Sequence, residues 1–78
     1  MILNRKQATA AYTALEVIEN ADGAGRAIYP AEEGARLVVS QRTIISGVSV
    51  LRYARNSQVT AEETYNSLEH FASTYHVE

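Results

Sequence analysis

The chain has 78 residues, a formal net charge of -2, 46% hydrophobic and 21% charged residues, and no cysteine. This length leaves room for one small domain over residues 1–78, and the composition is typical of a folded chain rather than a disordered one. The lack of cysteine excludes a disulfide framework and a thiolate metal site. No apolar stretch approaches the roughly 20 residues of a transmembrane helix, and no signal-peptide core follows Met1, so we expect a cytoplasmic protein.

A first helix is predicted from Arg5 to Ala21. Asn4 and Gln7 have the spacing of a capping box, in which each side chain bonds the backbone amide of the other residue. Apolar residues then recur at helical spacing, at Ala8, Ala11, Tyr12, Leu15 and Ile18. Asp22 and Gly23 follow this stripe, and a glycine there favours the end of the helix.

The middle of the chain favours strands. Seven of the fifteen residues from Leu37 to Leu51 are Val, Ile or Thr, which are enriched in extended chain. A short strand is predicted at Arg26 to Tyr29, ended by Pro30. Ser46 and Gly47 have the spacing of a two-residue hairpin turn, which would pair residues whose numbers sum to 93.

A second helix is predicted from residue 61 to His76. Thr60 would cap it, and Tyr65, Phe71 and Tyr75 would lie in its core-facing stripe. The chain is thus expected to form an α+β domain in the order helix, three antiparallel strands, helix, with one sheet face packed on both helices. Double-stranded-RNA-binding domains share this order, but Glu62 and Glu63 at the start of the second helix would repel RNA.

The predicted hairpin sorts side chains onto two faces of the sheet. One face is mostly apolar and is expected to be buried against the helices. The other combines arginines, a tyrosine and aliphatic residues, a composition that is typical of an interaction surface. The candidate partner-binding residues are Arg36, Arg42, Ile44, Leu51, Tyr53 and Arg55.

Charge is distributed unevenly along the chain. Residues 24–55 carry five arginines and two glutamates, a net charge of +3, whereas residues 56–78 carry four glutamates and neither lysine nor arginine. The predicted sheet is therefore basic and the C-terminal third is acidic.

No catalytic or cofactor motif is present in the sequence. His70 and His76 are six residues apart, which is not the spacing of a metal-binding pair on a helix, and glycines form no phosphate-binding pattern. We therefore expect neither an enzyme nor a cofactor. The expected function is a protein-binding module, an inhibitor or adaptor of the kind that small phage and bacterial reading frames encode. Its partner would be another protein or, alternatively, a second copy of the chain.

An alternative interpretation of residues 31–56 is helix, turn, helix. Pro30 is favoured at the first position of a helix, and Ser40 could cap a second helix that runs to Asn56. The segment then resembles the helix-turn-helix motif of DNA-binding regulators, at Ala35, Val39, Ser40, Gln41, Arg42 and Thr43. That resemblance implies an all-α, dimeric DNA-binding protein in which Gln41 and Arg42 contact base edges while Arg52 and Arg55 lie near phosphates.

Overall fold

The protein is a small α+β domain in which two helices pack on one face of a four-stranded sheet. The computed structural model describes residues 1–20, 25–41 and 47–77, and for residues 18–20 it describes the backbone only. The elements are α1 (Arg5–Asn20), β1 (Arg26–Pro30), a 3-10 turn (Glu32–Gly34), β2 (Arg36–Gln41), β3 (Val48–Tyr53), β4 (Val59–Tyr65) and α2 (Leu68–Thr74). The strands form an antiparallel meander in the order β1-β2-β3-β4.

The first helix begins as predicted. The Asn4 amide donates to the Gln7 side chain at 3.0 Å, and the Gln7 amide donates to Asn4 Oδ1 at 2.7 Å. The capping box therefore satisfies two backbone amides at the start of α1. The strand predicted at Arg26 is also present, as β1.

The helix-turn-helix interpretation is wrong. The residues proposed for its first helix and turn lie in the 3-10 turn and in β2, and Arg52 lies in β3. The β-branched residues of this region pack on a pleated surface, and this tertiary packing outweighs the helix-start signal at Pro30. Neither helix of the described part has the length and apolar character needed to cross a bilayer.

The second helix was predicted to begin too early, and a fourth strand was missed. Residues 59–65 form β4, and α2 begins only at Leu68. Within β4 the less exposed Ala61, Glu63 and Tyr65 alternate with exposed neighbours, which is the period of a strand. The cap is Ser67, whose side chain accepts from the His70 amide at 3.0 Å. With four strands, the order of a double-stranded-RNA-binding domain does not apply.

The predicted register of the central hairpin is also wrong. Gln41 pairs with Val48 and Arg36 pairs with Tyr53, so paired residue numbers sum to 89, not 93. This register sets Val39 opposite Val50, whereas the predicted one sets Val39 opposite Ala54, so the observed pairing matches apolar side chains better. Of the proposed turn, Ser46 lies outside the described residues and Gly47 directly precedes β3. Because the register differs by an even number, the paired residues of β2 and β3 keep their predicted faces.

The core lies between the helices and one face of the sheet, as expected. Among the residues whose burial is described, it contains twelve, namely Leu3, Ala8, Ala11, Leu15, Leu37, Val39, Val48, Val50, Tyr65, Leu68, Phe71 and Tyr75. The predicted aromatic stripe is part of it: the ring of Phe71 lies 5.5 Å from that of Tyr65 and 5.1 Å from that of Tyr75. The sheet residues of this core all point to one side, which leaves the other side of the sheet away from both helices.

Candidate protein-binding face of the sheet

The sheet face away from the helices is the candidate functional site, here named the open face. Its residues form three rows across the strands, because directly paired residues point to the same side. The first row is Arg26, Ser40, Ser49 and Thr64. The second, the apolar row, is Ile28, Val38, Leu51 and Glu62. The third, the aromatic row, is Pro30, Arg36, Tyr53 and Val59, where Val59 pairs with Tyr53 after a register shift between β3 and β4.

Arg36 and Tyr53 form an ordered pair at the centre of the aromatic row. The guanidinium carbon of Arg36 lies 4.8 Å from the centre of the Tyr53 ring, within the range of a cation–π contact. Its Nη2 donates to Ser57 Oγ at 3.3 Å. Ser57 has a φ of 68° and belongs to the turn between β3 and β4, where its amide donates to the Ala54 carbonyl at 2.8 Å. Tyr53 and Ser57 thus hold the guanidinium on the open face before any partner binds.

The apolar row gives the open face an aliphatic centre. Val38 is buried, at 7% exposure, and lies between Ile28 and Leu51. Ile28 on the edge strand is 55% exposed, and Val59 on the opposite edge is 48% exposed. The sequence predicted that Leu51 and Tyr53 would be exposed, but both are half-buried. The accessible apolar area therefore lies towards the two edges of the sheet.

Within the described residues, the cations of the open face form no ion pairs. Among the described residues, no carboxylate lies within salt-bridge distance of Arg26 or Arg36. The carboxylate of this face is Glu62, which is exposed on β4 at the edge opposite to Arg26. The positive charge of the open face therefore lies on β1 and β2, and the negative charge lies on β4.

Arg55 is placed differently from the prediction. It lies in the turn after β3, and the Arg55 side chain covers Gly34 of the turn between β1 and β2. Gly34 has a φ of 77°, and a Cβ built there would come within 3.2 Å of Arg55 Cγ and Cδ. A shallow depression beside these turns is lined by Arg52, Arg55, Thr60, Glu32 and Glu33 among others. The mixed charges of this depression do not converge on one ligand chemistry.

Three predicted residues, Arg36, Leu51 and Tyr53, lie together on the open face. Arg42 and Ile44 lie outside the described residues. The sequence analysis missed the contributions of the edge strands, which are Arg26, Ile28, Val59 and Glu62. For β1 the signal was available in the sequence. Side chains alternate between the two faces of a strand, so Ile28 lies on the same face as Arg26, and pairing β1 with β2 assigns both to the open face. For β4 it was hidden, because Glu62 and Glu63 had been assigned to a helix start.

The titratable groups with shifted pKa values lie on the helix side of the sheet. The Tyr75 hydroxyl donates to Glu63 Oε1 and accepts from the Leu3 amide at 3.3 Å. Burial is the main cause that raises the pKa of Tyr75 above its usual value, and the hydrogen bond to Glu63 adds to it. Burial also raises the pKa of Tyr65 and Tyr29. Of these groups, Tyr75 connects the N-terminal segment to the core through the Leu3 amide.

Comparisons with protein families, curated proteins and solved structures find no match for this chain. The functional argument therefore depends on the open face itself.

Proposed function

We propose that this protein is a non-catalytic protein-binding module, an inhibitor or adaptor that acts through the open face. The partner would cover the apolar row and present carboxylates to the arginines beside it. The observation that carries the proposal is the Arg36 guanidinium, which is positioned by Tyr53 and Ser57 while no described carboxylate neutralises it.

The energetics of binding support this assignment. Tyr and Arg are enriched among the residues that dominate interface energies, because each combines a large contact area with directed hydrogen bonds. A side chain that is already held in place loses less conformational entropy when a partner binds. The exposed Ile28 and Val59 add apolar area at the edges of the same face, and apolar burial drives association.

Site-specific photo-crosslinking tests the proposal. A photoreactive amino acid replaces Ile28 on the open face in one variant and Val17 on α1 in a control. The two positions are similarly accessible, at 55% and 66% exposure. However, Ile28 lies in the sheet and Val17 lies in the helix layer on its other side. In cells that produce the protein, we expect an adduct with a polypeptide from position 28 and none from position 17.

Alanine substitutions give the second part of the test. Arg36→Ala combined with Tyr53→Ala should abolish the adduct from position 28 and leave the circular dichroism spectrum unchanged. Adducts that form only from position 17 would contradict the proposal, as would an adduct from position 28 that the double substitution does not reduce.

A further inference from the structure

The open face carries opposite charges at its two edges. Arg26 lies on the edge strand β1, and Glu62 lies on the edge strand β4. The exposed aliphatic residues have the same arrangement, with Ile28 on β1 and Val59 on β4. A partner that is complementary to this face would therefore present a negative edge to β1 and a positive edge to β4.

A second copy of the chain meets this requirement under one symmetry. We propose that the partner of the open face is a second copy, bound face to face about a two-fold axis parallel to the strands. This inference depends on the proposed function, because it names the partner of the same face. The two-fold rotation lays β1 of one copy over β4 of the other and keeps the three rows aligned.

Charge and shape agree with this arrangement. Glu62 of the second copy lies over Ile28, one row from Arg26 and one row from Arg36. Val59 of the second copy lies over Pro30, beside the exposed Ile28. Because the two copies are related by two-fold symmetry, each contact between them occurs twice. A single complementary pair of residues therefore contributes twice to the free energy of dimerisation.

The centre of the face is also complementary to itself. Arg36 on β2 faces Tyr53 of the second copy, since the axis passes between β2 and β3. Each tyrosine ring is then covered by guanidinium groups from both chains, a stacking that arginine tolerates well.

The other face-to-face symmetry is disfavoured. A two-fold axis perpendicular to the strands, in the plane between the two sheets, would place β4 over β4 of the second copy. The apolar row would then lie over the apolar row of the second copy. Glu62 would then face Glu62 of the second copy, and like charges placed opposite each other oppose association. The distribution of charge therefore selects the parallel axis.

The small area of the face sets the strength of the dimer. Four strands spaced about 4.8 Å apart, each contributing about six residues at 3.3 Å, give roughly 400 Å² per chain. Standard interfaces bury about 800 Å² per partner. We therefore expect a dissociation constant in the micromolar range or weaker, which requires measurements up to about 1 mM protein.

Charge reversal tests the proposed dimer. Light scattering and sedimentation equilibrium on the purified full chain should give a mass that rises towards twice that of one chain. Arg26→Glu and Glu62→Arg should each weaken the dimer by about tenfold or more, and the double variant should recover to within about threefold of the parent. Lys6→Glu and Glu69→Arg make the same charge changes on the helices and should leave the dimer intact.

The outcomes separate this inference from the proposed function. A chain that remains monomeric up to about 1 mM contradicts the dimer, whereas an adduct with a different polypeptide from position 28 would still support binding through the open face. A dimer that neither charge reversal weakens, or that the double variant does not recover, also contradicts the inference. If the protein with Arg36 and Tyr53 intact forms no adduct of any kind from position 28, the proposed function itself is contradicted.

Discussion

Arg36 and Tyr53 are direct cross-strand partners, and the guanidinium of Arg36 lies over the Tyr53 ring at 4.8 Å from its centre. In the register predicted from the sequence, Arg36 would have been opposite Ser57 and Tyr53 opposite Ser40. In the structure, Ser57 still contacts Arg36, but through its side-chain oxygen in the following turn. The three residues connect β2, β3 and the turn that leads to β4.

We expect Arg36 and Tyr53 to stabilise the fold cooperatively. Urea unfolding of the parent, Arg36→Ala, Tyr53→Ala and the double variant should give a coupling free energy of about 0.5–1 kcal/mol, the range of a partly exposed cation–π pair. Tyr53→Phe should retain most of this coupling because the ring remains. Strictly additive effects of the two alanine substitutions would show that the pair does not interact in solution.

Gly34 should be sensitive to substitution because of its backbone conformation. Its φ of 77° costs other L-residues about 1–2 kcal/mol, and a Cβ would also press on Arg55. We expect Gly34→Ala to lower the free energy of unfolding by about this amount, measured by denaturant titration. Adding Arg55→Ala to Gly34→Ala should restore only the part of the lost free energy of unfolding that comes from the contact between the new Cβ and Arg55.

The neighbouring residue provides the control for Gly34. Glu33 has a φ of 55°, so Glu33→Gly relieves strain in the folded state while it increases the freedom of the unfolded chain. These effects oppose each other, and stability should change by less than about 0.5 kcal/mol. If Gly34→Ala were as harmless as Glu33→Gly, the assigned turn conformation would be incorrect.

Stability should fall at alkaline pH through the buried tyrosines. The pKa of Tyr75 is raised in the folded protein, mainly by burial, while in the unfolded chain it is near 10. The contribution of Tyr75 is therefore fully present below about pH 10 and is lost as the pH rises towards the folded pKa. Thermal unfolding followed by circular dichroism at increasing pH should show this loss.

Removal of the Tyr75 hydroxyl tests the origin of that pH dependence. Tyr75→Phe should destabilise the protein by about 1–3 kcal/mol at neutral pH, because Glu63 and the Leu3 amide lose their shared partner. The variant should also show a weaker loss of stability above pH 10. Tyr12→Phe is the matched control, because it removes the same hydroxyl from a half-buried ring at the edge of the core. An equally steep loss in Tyr75→Phe and the parent would contradict the role of Tyr75.

Local patterns predicted α1 and the faces of β2 and β3 from the sequence. The capping box of Asn4 and Gln7 is a short-range signal, and the observed bonds need no tertiary contact to form. The faces were correct although the register was wrong, because the register differs by four residues and the side-chain period of a strand is two.

Tertiary context decided what the sequence analysis missed. Thr60 followed by Glu63 satisfies the pattern of a helix cap, yet β4 is stabilised by pairing with β3, a contact that no local pattern encodes. The true cap at Ser67 follows Tyr65, which was expected inside the helix. The edge residues Arg26 and Glu62 became part of the candidate site only once the strand order was known.

The most direct test of the open face compares two tyrosines. Tyr53 on the open face and Tyr12 on α1 are both half-buried, so hydroxyl-radical footprinting should oxidise both in the dilute purified chain. When the binding partner is present, or at protein concentrations that saturate the dimer, we expect the oxidation rate of Tyr53 to fall severalfold while that of Tyr12 is unchanged. Protection of Tyr12 instead of Tyr53, or an unchanged rate at Tyr53, would contradict binding through the open face.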